Sequence, residues 1–304
     1  MTRLPSTPES SIDAMCRAFM RGSVRSPRTI RFYRETCRIV ANVLREGGRP
    51  ALPWKIGEED VVWLLRDLSA RGLAVQTRKG YFSALRTWLR FYDNRSVDGV
   101  EVRWPADARP NVDWLTLDQA RDLLAAPKTP TEALVVHCEL CLGMRRVEVL
   151  RLKPSSFSGG YVEILGKGPQ GGKPRRMPYH RDTADVLAAY LRHRASLVET
   201  ARAACPGEPV PDDLLVWSRG PRLRAYAGKG TGIDRMLKGL GARIGVPTVS
   251  NHTLRRTFGR TMFRSGVEPA VIAKMLGHSS IEQTLRYIGV DGDDMDAAMK
   301  IFKL

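Results

Sequence analysis

An imidazole, a phenol and several cations stand in this sequence at spacings that could bind and turn over a phosphate group. In Ser250-Asn251-His252-Thr253-Leu254-Arg255-Arg256-Thr257-Phe258, His252 and Arg255 are three apart and share one face at the start of a helix. Ser250 or Asn251 caps that helix, leaving free N–H groups and a dipole that attract an anion. A histidine and an arginine crowded at a helix N-terminus repel that dipole and each other unless an anion lies between them. In Gly143-Met144-Arg145-Arg146-Val147-Glu148, Arg145 and Glu148 are also three apart, so the carboxylate can hold the guanidinium in place. Gly166-Lys167-Gly168 sets a lysine on a hairpin tip. In Leu276-Gly277-His278-Ser279-Ser280, Gly277 stops a helix and Ser279 or Ser280 caps the next, with His278 in the turn. Tyr287 follows roughly two helical turns later. Taken singly, each has an ordinary reading: a surface ion pair, a hairpin lysine, a core tyrosine.

The elements that must position these groups are mostly helical. Apolar periodicity and caps predict helices opened by Thr7-Pro8 and Ser26-Pro27, a third over Glu58–Arg71 and a fourth from Val75 to about Asp93, together a small bundle. Asn94 to Asp113 is broken by prolines and turn residues. The domain reading is residues 1–105, a linker at 106–113, and residues 114–304. In the second part, helices are expected from Thr116 to Ala126 and over Thr131–Leu142, with an antiparallel hairpin of Tyr161–Leu165 and Arg175–Pro178. Helices resume over Thr183–Arg202, Gly232–Ile244, Thr253–Ser265 and Pro269–Leu276. A last one carries Ile281, Thr284, Leu285 and Ile288 as an apolar stripe. The fold class is mainly α, with a four-helix N-terminal bundle and a mostly helical second domain containing a small antiparallel sheet.

Composition points to the partner. The 304 residues contain 49 Lys and Arg against 32 Asp and Glu, a net charge of +17. The excess is shared almost evenly by the two sides of Asn111, which suits a protein gripping a polyanion from two sides, with double-stranded DNA the default. The second helix carries Arg28, Arg31, Arg34, Arg38 and Arg45 on a nearly single-signed face that extends the series Arg17, Arg21 and Arg25, and the fourth turns Arg78, Lys79, Arg86 and Arg90 outward. Guanidinium forks match phosphate, and of these cations Arg25, Arg28, Arg31, Arg34, Arg38, Arg78, Lys79 and Arg86 are the candidate DNA contacts. Five cysteines form no disulfide framework, and His137-Cys138 with Cys141 lacks a second ligand pair, so small buried thiols are expected rather than a metal site. No apolar run spans a bilayer and no signal-peptide core opens the chain, so a cytoplasmic protein without membrane contact is expected.

In this order, Arg145, Lys167, His252, Arg255, His278 and Tyr287 resemble the tyrosine recombinase (phage-integrase-type) family. That family's pattern is an arginine followed by an acid, a hairpin lysine, a His-x-x-Arg box, a Leu-Gly-His-Ser turn and a nucleophilic tyrosine. The motif resemblance covers about Leu142 to Tyr287, and the N-terminal bundle is a looser match to the family's core-binding domain. Arg256 stands where many relatives carry a second histidine, and Gly289 follows Tyr287 where His or Tyr is common. Lys173 lies close to Lys167, so either could be the hairpin lysine.

The resemblance implies cutting and rejoining of DNA by transesterification with neither metal nor cofactor. Tyr287 is the implied nucleophile, forming a 3′-phosphotyrosyl intermediate. His252 is the implied base, Arg145, Arg255 and His278 hold the phosphate, Lys167 protonates the leaving oxygen, and Glu148 orients Arg145. It also implies a cyclic tetramer on two DNA sites. The tail, with Met295, Ala298, Met299 and Phe302 as an apolar stripe, could pack on its own subunit or dock on a neighbour. The rival readings are a type IB topoisomerase-like enzyme and a catalytically silent DNA-binding protein on the same fold. The N-terminal region looks too short for a further arm-binding domain, which leans toward a Xer-like or transposon-type recombinase.

Overall fold

The structure, a computed structural model, describes residues 4–22, 25–105, 114–166, 174–226, 231–289, 294–295 and 299–300. Among these residues the chain forms twelve α-helices and five short strands, in two compact units, Met1–Pro110 and Asn111–Leu304. The expected linker at 106–113 lies outside the described residues.

The first unit is a four-helix bundle of α1 (Pro8–Arg21), α2 (Pro27–Glu46), α3 (Glu58–Ala70) and α4 (Val75–Phe91). Local chemistry starts each of the first two. The Thr7 hydroxyl accepts from the backbone N–H of Ser10 and Ser26 from that of Thr29, both at 3.1 Å, and a proline follows each cap. Ile12, Cys37, Leu44, Leu64, Leu85 and Trp88 are fully or almost fully buried between the helices. Trp88 keeps its one polar atom satisfied by donating Nε1–H to the Ser11 hydroxyl at 3.1 Å. After α4 the irregular chain through Val97, Val100, Val102 and Trp104 packs on this same core.

The second unit runs α5 (Leu117–Ala125), α6 (Pro130–Val136), α7 (Arg146–Val149), β1 (Phe157–Ser158), β2 (Tyr161–Leu165), β3 (Pro174–Pro178), α8 (Arg181–Ala204), β4 (Val216–Arg219), β5 (Arg222–Ala225), α9 (Thr231–Arg243), α10 (Asn251–Arg264), α11 (Pro269–Leu276) and α12 (Ile281–Ile288). Its main core gathers residues from Leu115 to Leu254, and a smaller cluster of Phe258, Ile272, Leu276 and Ile288 joins α10, α11 and α12.

The expected hairpin forms as β2 and β3, and it is part of a three-stranded antiparallel sheet, because β1 pairs with β2 on the side away from β3. Other expectations are corrected. A second hairpin, β4–β5, was not expected. β5 alternates arginines with apolar residues, β4 reads Val-Trp-Ser-Arg, and each is only four residues long, too short and too polar to read as a buried pattern.

The helix expected over Thr131–Leu142 winds as α only to Val136 and then as a π turn over His137–Cys141. There the Leu142 N–H reaches back five residues to the His137 carbonyl at 3.1 Å. This extra residue delivers the chain to Gly143, at φ +56°, where an added Cβ would stand 2.5 Å from the Phe258 ring. Cys138 is buried, as a small apolar thiol would be, while Cys141 is half-buried.

The stripe on α12 is also corrected. Thr284 and Ile288 are fully buried, but Ile281 and Leu285 are 50% and 39% exposed. The helix is rolled by the hydrogen bond between Thr284 Oγ1 and His278 Nδ1, at 2.8 Å, which turns the 284/288 row inward and the 281/285 row out. Of the expected tail stripe, Ala298 and Phe302 lie outside the described residues. Met295 and Met299 are exposed, while the Asp294 carboxylate is tied to Arg260 of α10 at 2.5 Å.

Candidate active site

Four chain segments of the second unit meet at the N-terminus of α10. Ser250 is the N-cap, accepting from the Thr253 N–H at 3.2 Å, so the first turn of α10 is well formed and its free end opens beside His252. One turn on, Arg255 is only 2% exposed. Its guanidinium donates to the carbonyls of Gly143, at 2.5 Å, and Leu276. Burial and the neighbouring Arg145 guanidinium pull its pKa down to about 10, so it is still a cation at neutral pH.

Arg145 is not inside a helix, as its spacing from Glu148 suggested. It is the extended N-cap of the single-turn α7, and Glu148 reaches back to it. Glu148 Oε2 accepts the Arg145 backbone N–H and Oε1 accepts its Nη1, both at 2.9 Å. The other guanidinium contacts of Arg145 are the carbonyls of Leu276, at 3.2 Å, and Gly277, at 3.4 Å.

His278 stands in the turn that Gly277 makes possible. Gly277 adopts φ +63°, the left-handed conformation that ends α11, and Ser280 rather than Ser279 caps α12. Burial first, then Arg255 and Arg145, pull the His278 pKa down to about 4, so the ring is neutral. His252 is shifted the same way by partial burial and by Arg256, Arg255, Arg145 and Arg146. Both imidazoles are therefore held in the form that can accept a proton or donate one neutral N–H.

Tyr287 is half-buried on α12, with its ring edge-on to His278 at 5.2 Å between centroids. The guanidiniums of Arg255 and Arg256 lie 5.9 and 5.4 Å from the ring centre. Burial pushes the phenol pKa up, and Arg255, Arg256 and Arg145 work against that rise. Its hydroxyl donates to the His252 carbonyl at 3.4 Å. The structure thus brings Arg145, Glu148, His252, Arg255, His278 and Tyr287 together. Lys167, like Lys173, lies outside the described residues. The stem of its turn is held by Arg151, which donates to the Gly166 carbonyl at 2.9 Å.

Three supporting groups were not visible in the sequence pattern. Arg175 of β3 donates to both oxygens of Glu148, at 3.0 and 2.7 Å. Asp234 of α9 is ion-paired with Arg146 and accepts from Asn251 at 2.7 Å, tying the residue after Arg145 to the residue before His252. Thr284 holds the His278 ring, as described. Only Arg175 left a signal: it shares the inward face of β3 with buried Met177, two residues on, where a lone arginine needs a buried partner.

The eight candidate DNA contacts all lie in the first unit. Arg25, Arg28 and Arg31 are exposed. Arg34 and Arg38 are instead ion-paired to Asp13 of α1, at 3.2 and 3.4 Å, and neighbouring Arg45 to Glu9. Helix packing supplied acids that the local sequence did not show. Arg78 donates to the Ser69 hydroxyl at 2.8 Å, Lys79 is half-buried, and exposed Arg86 stacks 4.8 Å over Phe82.

A mainly helical domain that gathers guanidiniums, neutral imidazoles and a phenol at one helix N-terminus has the parts of a phosphoryl-transfer site with a tyrosine at hand. Comparison with known proteins gives the family. A family model described as the phage integrase family matches residues 113–293. The chain is 29% identical to tyrosine recombinase XerC of Rhizobium meliloti over 250 residues, covering 75% of this chain and 73% of that protein. It is equally identical to XerC of Rhodospirillum centenum over 292 residues, covering 89% and 80%. Its fold is similar to that of XerH site-specific recombinase bound to palindromic difH substrate in a post-cleavage complex, with a TM-score of 0.69 at 16% identity, covering 98% of this chain and 85% of that one. The chain belongs to the phage integrase family, the tyrosine recombinases, and is an enzyme of that class. Among the described residues, no helix is long and apolar enough to cross a membrane.

Proposed function

We propose that this enzyme performs site-specific recombination on double-stranded DNA through a covalent 3′-phosphotyrosyl intermediate. The observation that carries the reading is the convergence of Arg145, His252, Arg255, His278 and Tyr287 around one helix N-terminus, with two of those residues already cationic and two neutral.

The Tyr287 oxygen attacks the scissile phosphorus. The new O–P bond forms as the bond to the 5′-oxygen breaks. The phenolic proton passes to His252, and Lys167 gives its proton to the departing 5′-oxygen. Arg145, Arg255 and the His278 N–H take the charge that builds on the non-bridging oxygens. One phosphodiester replaces another, so a 5′-hydroxyl from a second duplex reverses the step without an external energy source. Residues 1–105 act as the core-binding clamp, with Arg25, Arg28, Arg31, Arg34, Arg38, Arg78, Lys79 and Arg86 as its phosphate contacts, and residues 114–304 as the catalytic domain. Exchange between two sites calls for a tetramer on DNA. The relatives named above are recombinases, and one of the fold's neighbours is described in a post-cleavage complex with its substrate.

The test is covalent trapping. The full chain is incubated with nicked duplexes of randomised sequence, denatured, and the attached DNA is sequenced to give the site. A protein–DNA adduct that disappears in Tyr287→Phe supports the reading. Relaxation of plasmids lacking the recovered site would point to a topoisomerase, and absence of any adduct to a silent DNA-binding protein.

A further inference from the structure

Glu148 is buried and negatively charged, and it has more partners than the orientation of one arginine requires. Burial would raise its pKa, but hydrogen bonds and charge from Arg175, the Arg145 N–H and the Arg255 charge together hold it below the usual carboxylate range. Arg175 comes from β3, 27 residues away in sequence, and its side chain is only 12% exposed. All three kinds of guanidinium nitrogen are used. Nη1 and Nη2 form a fork on the two Glu148 oxygens, and Nε donates to the Met275 carbonyl at 2.8 Å.

This geometry limits what Glu148 can do to its other neighbours. With both oxygens taken by the fork, Oε1 has one further position for Arg145 Nη1, and Oε2 has one for the Arg145 backbone N–H. Arg255 stays 3.8 Å from Oε2 and is directed instead to the Leu276 carbonyl. That carbonyl follows the one Arg175 holds, in the turn that ends in Gly277 and His278. A Cβ on Gly277 would stand 3.2 Å from Arg175 Nη1, so the turn and the guanidinium are in close register.

We propose that Arg175 is a positioning residue, which by holding both Glu148 and the Met275 carbonyl limits the Arg145 guanidinium to its one bond on Glu148 and leaves Arg255 on the Leu276 carbonyl, so that both face the phosphate. The proposal rests on the function given above. Removing the fork leaves two bare carboxylate positions in a buried site, and the nearest donors able to fill them are those two arginines. Cleavage then slows while DNA binding, which depends on many dispersed cations, does not change.

The experiment is single-turnover adduct formation by the full chain on the nicked duplex recovered by trapping, recording the rate constant and the final trapped fraction separately. Arg175→Ala is expected to slow the rate constant on the order of 10–100-fold, the scale of a small misplacement of reacting groups. The trapped fraction and the DNA affinity should stay within about two-fold, since phosphate contacts elsewhere dominate binding. Arg175→Lys, which keeps the charge but loses the fork, should fall between the two. In a Glu148→Ala background the loss from Arg175→Ala should shrink to about three-fold or less, the signature of a residue acting through another. An unchanged rate constant, with or without a lower trapped fraction, would overturn the proposal. So would an equal loss in the Glu148→Ala background. If wild-type protein forms no adduct while remaining folded, the proposed function itself falls, and this inference with it.

Discussion

The Tyr287 hydroxyl rests on the main-chain carbonyl of His252, at 3.4 Å, and not on the ring of that histidine. A hydrogen bond of that length is near the limit of a useful one, so it parks the phenol without holding it strongly. It also ties the tyrosine to the helix end where the phosphate is expected. Substituting the His252 side chain therefore leaves this hydrogen bond intact. His252→Gln should lower the rate of adduct formation by roughly 10²–10⁴-fold, the usual worth of a general base. The melting temperature should barely move. A rate within about three-fold of wild type would remove His252 from the role of base.

The ion pairs of α1 divide the arginine face of α2 into two classes. Arg28 and Arg31 are exposed, whereas Arg34 and Arg38 share Asp13. Replacing Arg28 or Arg31 by Gln should reduce the slope of log affinity against log salt by about 0.9 for each phosphate that is no longer neutralised. Arg38→Gln should change it less, because its charge is already partly neutralised within the protein. Binding titrations at several salt concentrations would separate the two classes, and equal slopes for all three variants would contradict the division.

Acid should destabilise the second unit in a definite window. His278, His252 and His137 all have folded pKa values below the ordinary histidine value, so the unfolded chain binds more protons as pH falls. The stability these neutral rings support is complete above about pH 6.5. It is lost progressively toward the His278 value of about 4. Thermal melts between pH 8 and pH 4 should fall through this range, and His278→Asn should flatten part of the fall. An unchanged pH dependence in that variant would argue against a buried neutral ring.

Glu139 should show the opposite sign. It is fully buried in the π turn with neither carboxylate oxygen hydrogen-bonded among the described residues, and burial pushes its pKa well up. The folded state keeps the proton that the unfolded chain gives up, so stability falls as pH rises above the usual carboxylate range. Glu139→Gln should raise the melting temperature more at pH 8 than at pH 5, by on the order of 2–4 °C for each kcal/mol recovered. An equal change at both values would mean that Glu139 is not protonated in the fold.

Gly143 joins the π turn to Arg145, and both its φ of +56° and the Phe258 ring 2.5 Å from a notional Cβ exclude a side chain. Gly143→Ala should cost about 2–4 kcal/mol, combining left-handed backbone strain with overpacking. Denaturant unfolding would measure it, and a change below about 1 kcal/mol would mean that the segment moves aside easily.

What the amino-acid sequence determined by itself was the local part of this protein. The caps at Thr7, Ser26 and Thr116, the stop at Gly277 and the restart near Ser280 depend on hydrogen bonds within a few residues, and apolar periodicity marks most of the helices between them. The order of the Arg, His-x-x-Arg, Gly-His and Tyr clusters was legible for the same reason. Partner choice was not. Arg145 meets the Leu276 carbonyl across 131 residues, and Arg38 meets Asp13 across 25. Arg175 shares a strand face with Met177 and so calls for a buried partner, but only the fold names that partner as Glu148. Likewise, whether α12 turns Leu285 or Thr284 inward depends on a hydrogen bond to His278 and on packing against α10 and α11. A charge or an apolar side chain declares its need for a partner locally, but tertiary structure decides which distant group meets it, because burial removes the water that would otherwise serve any of them alike.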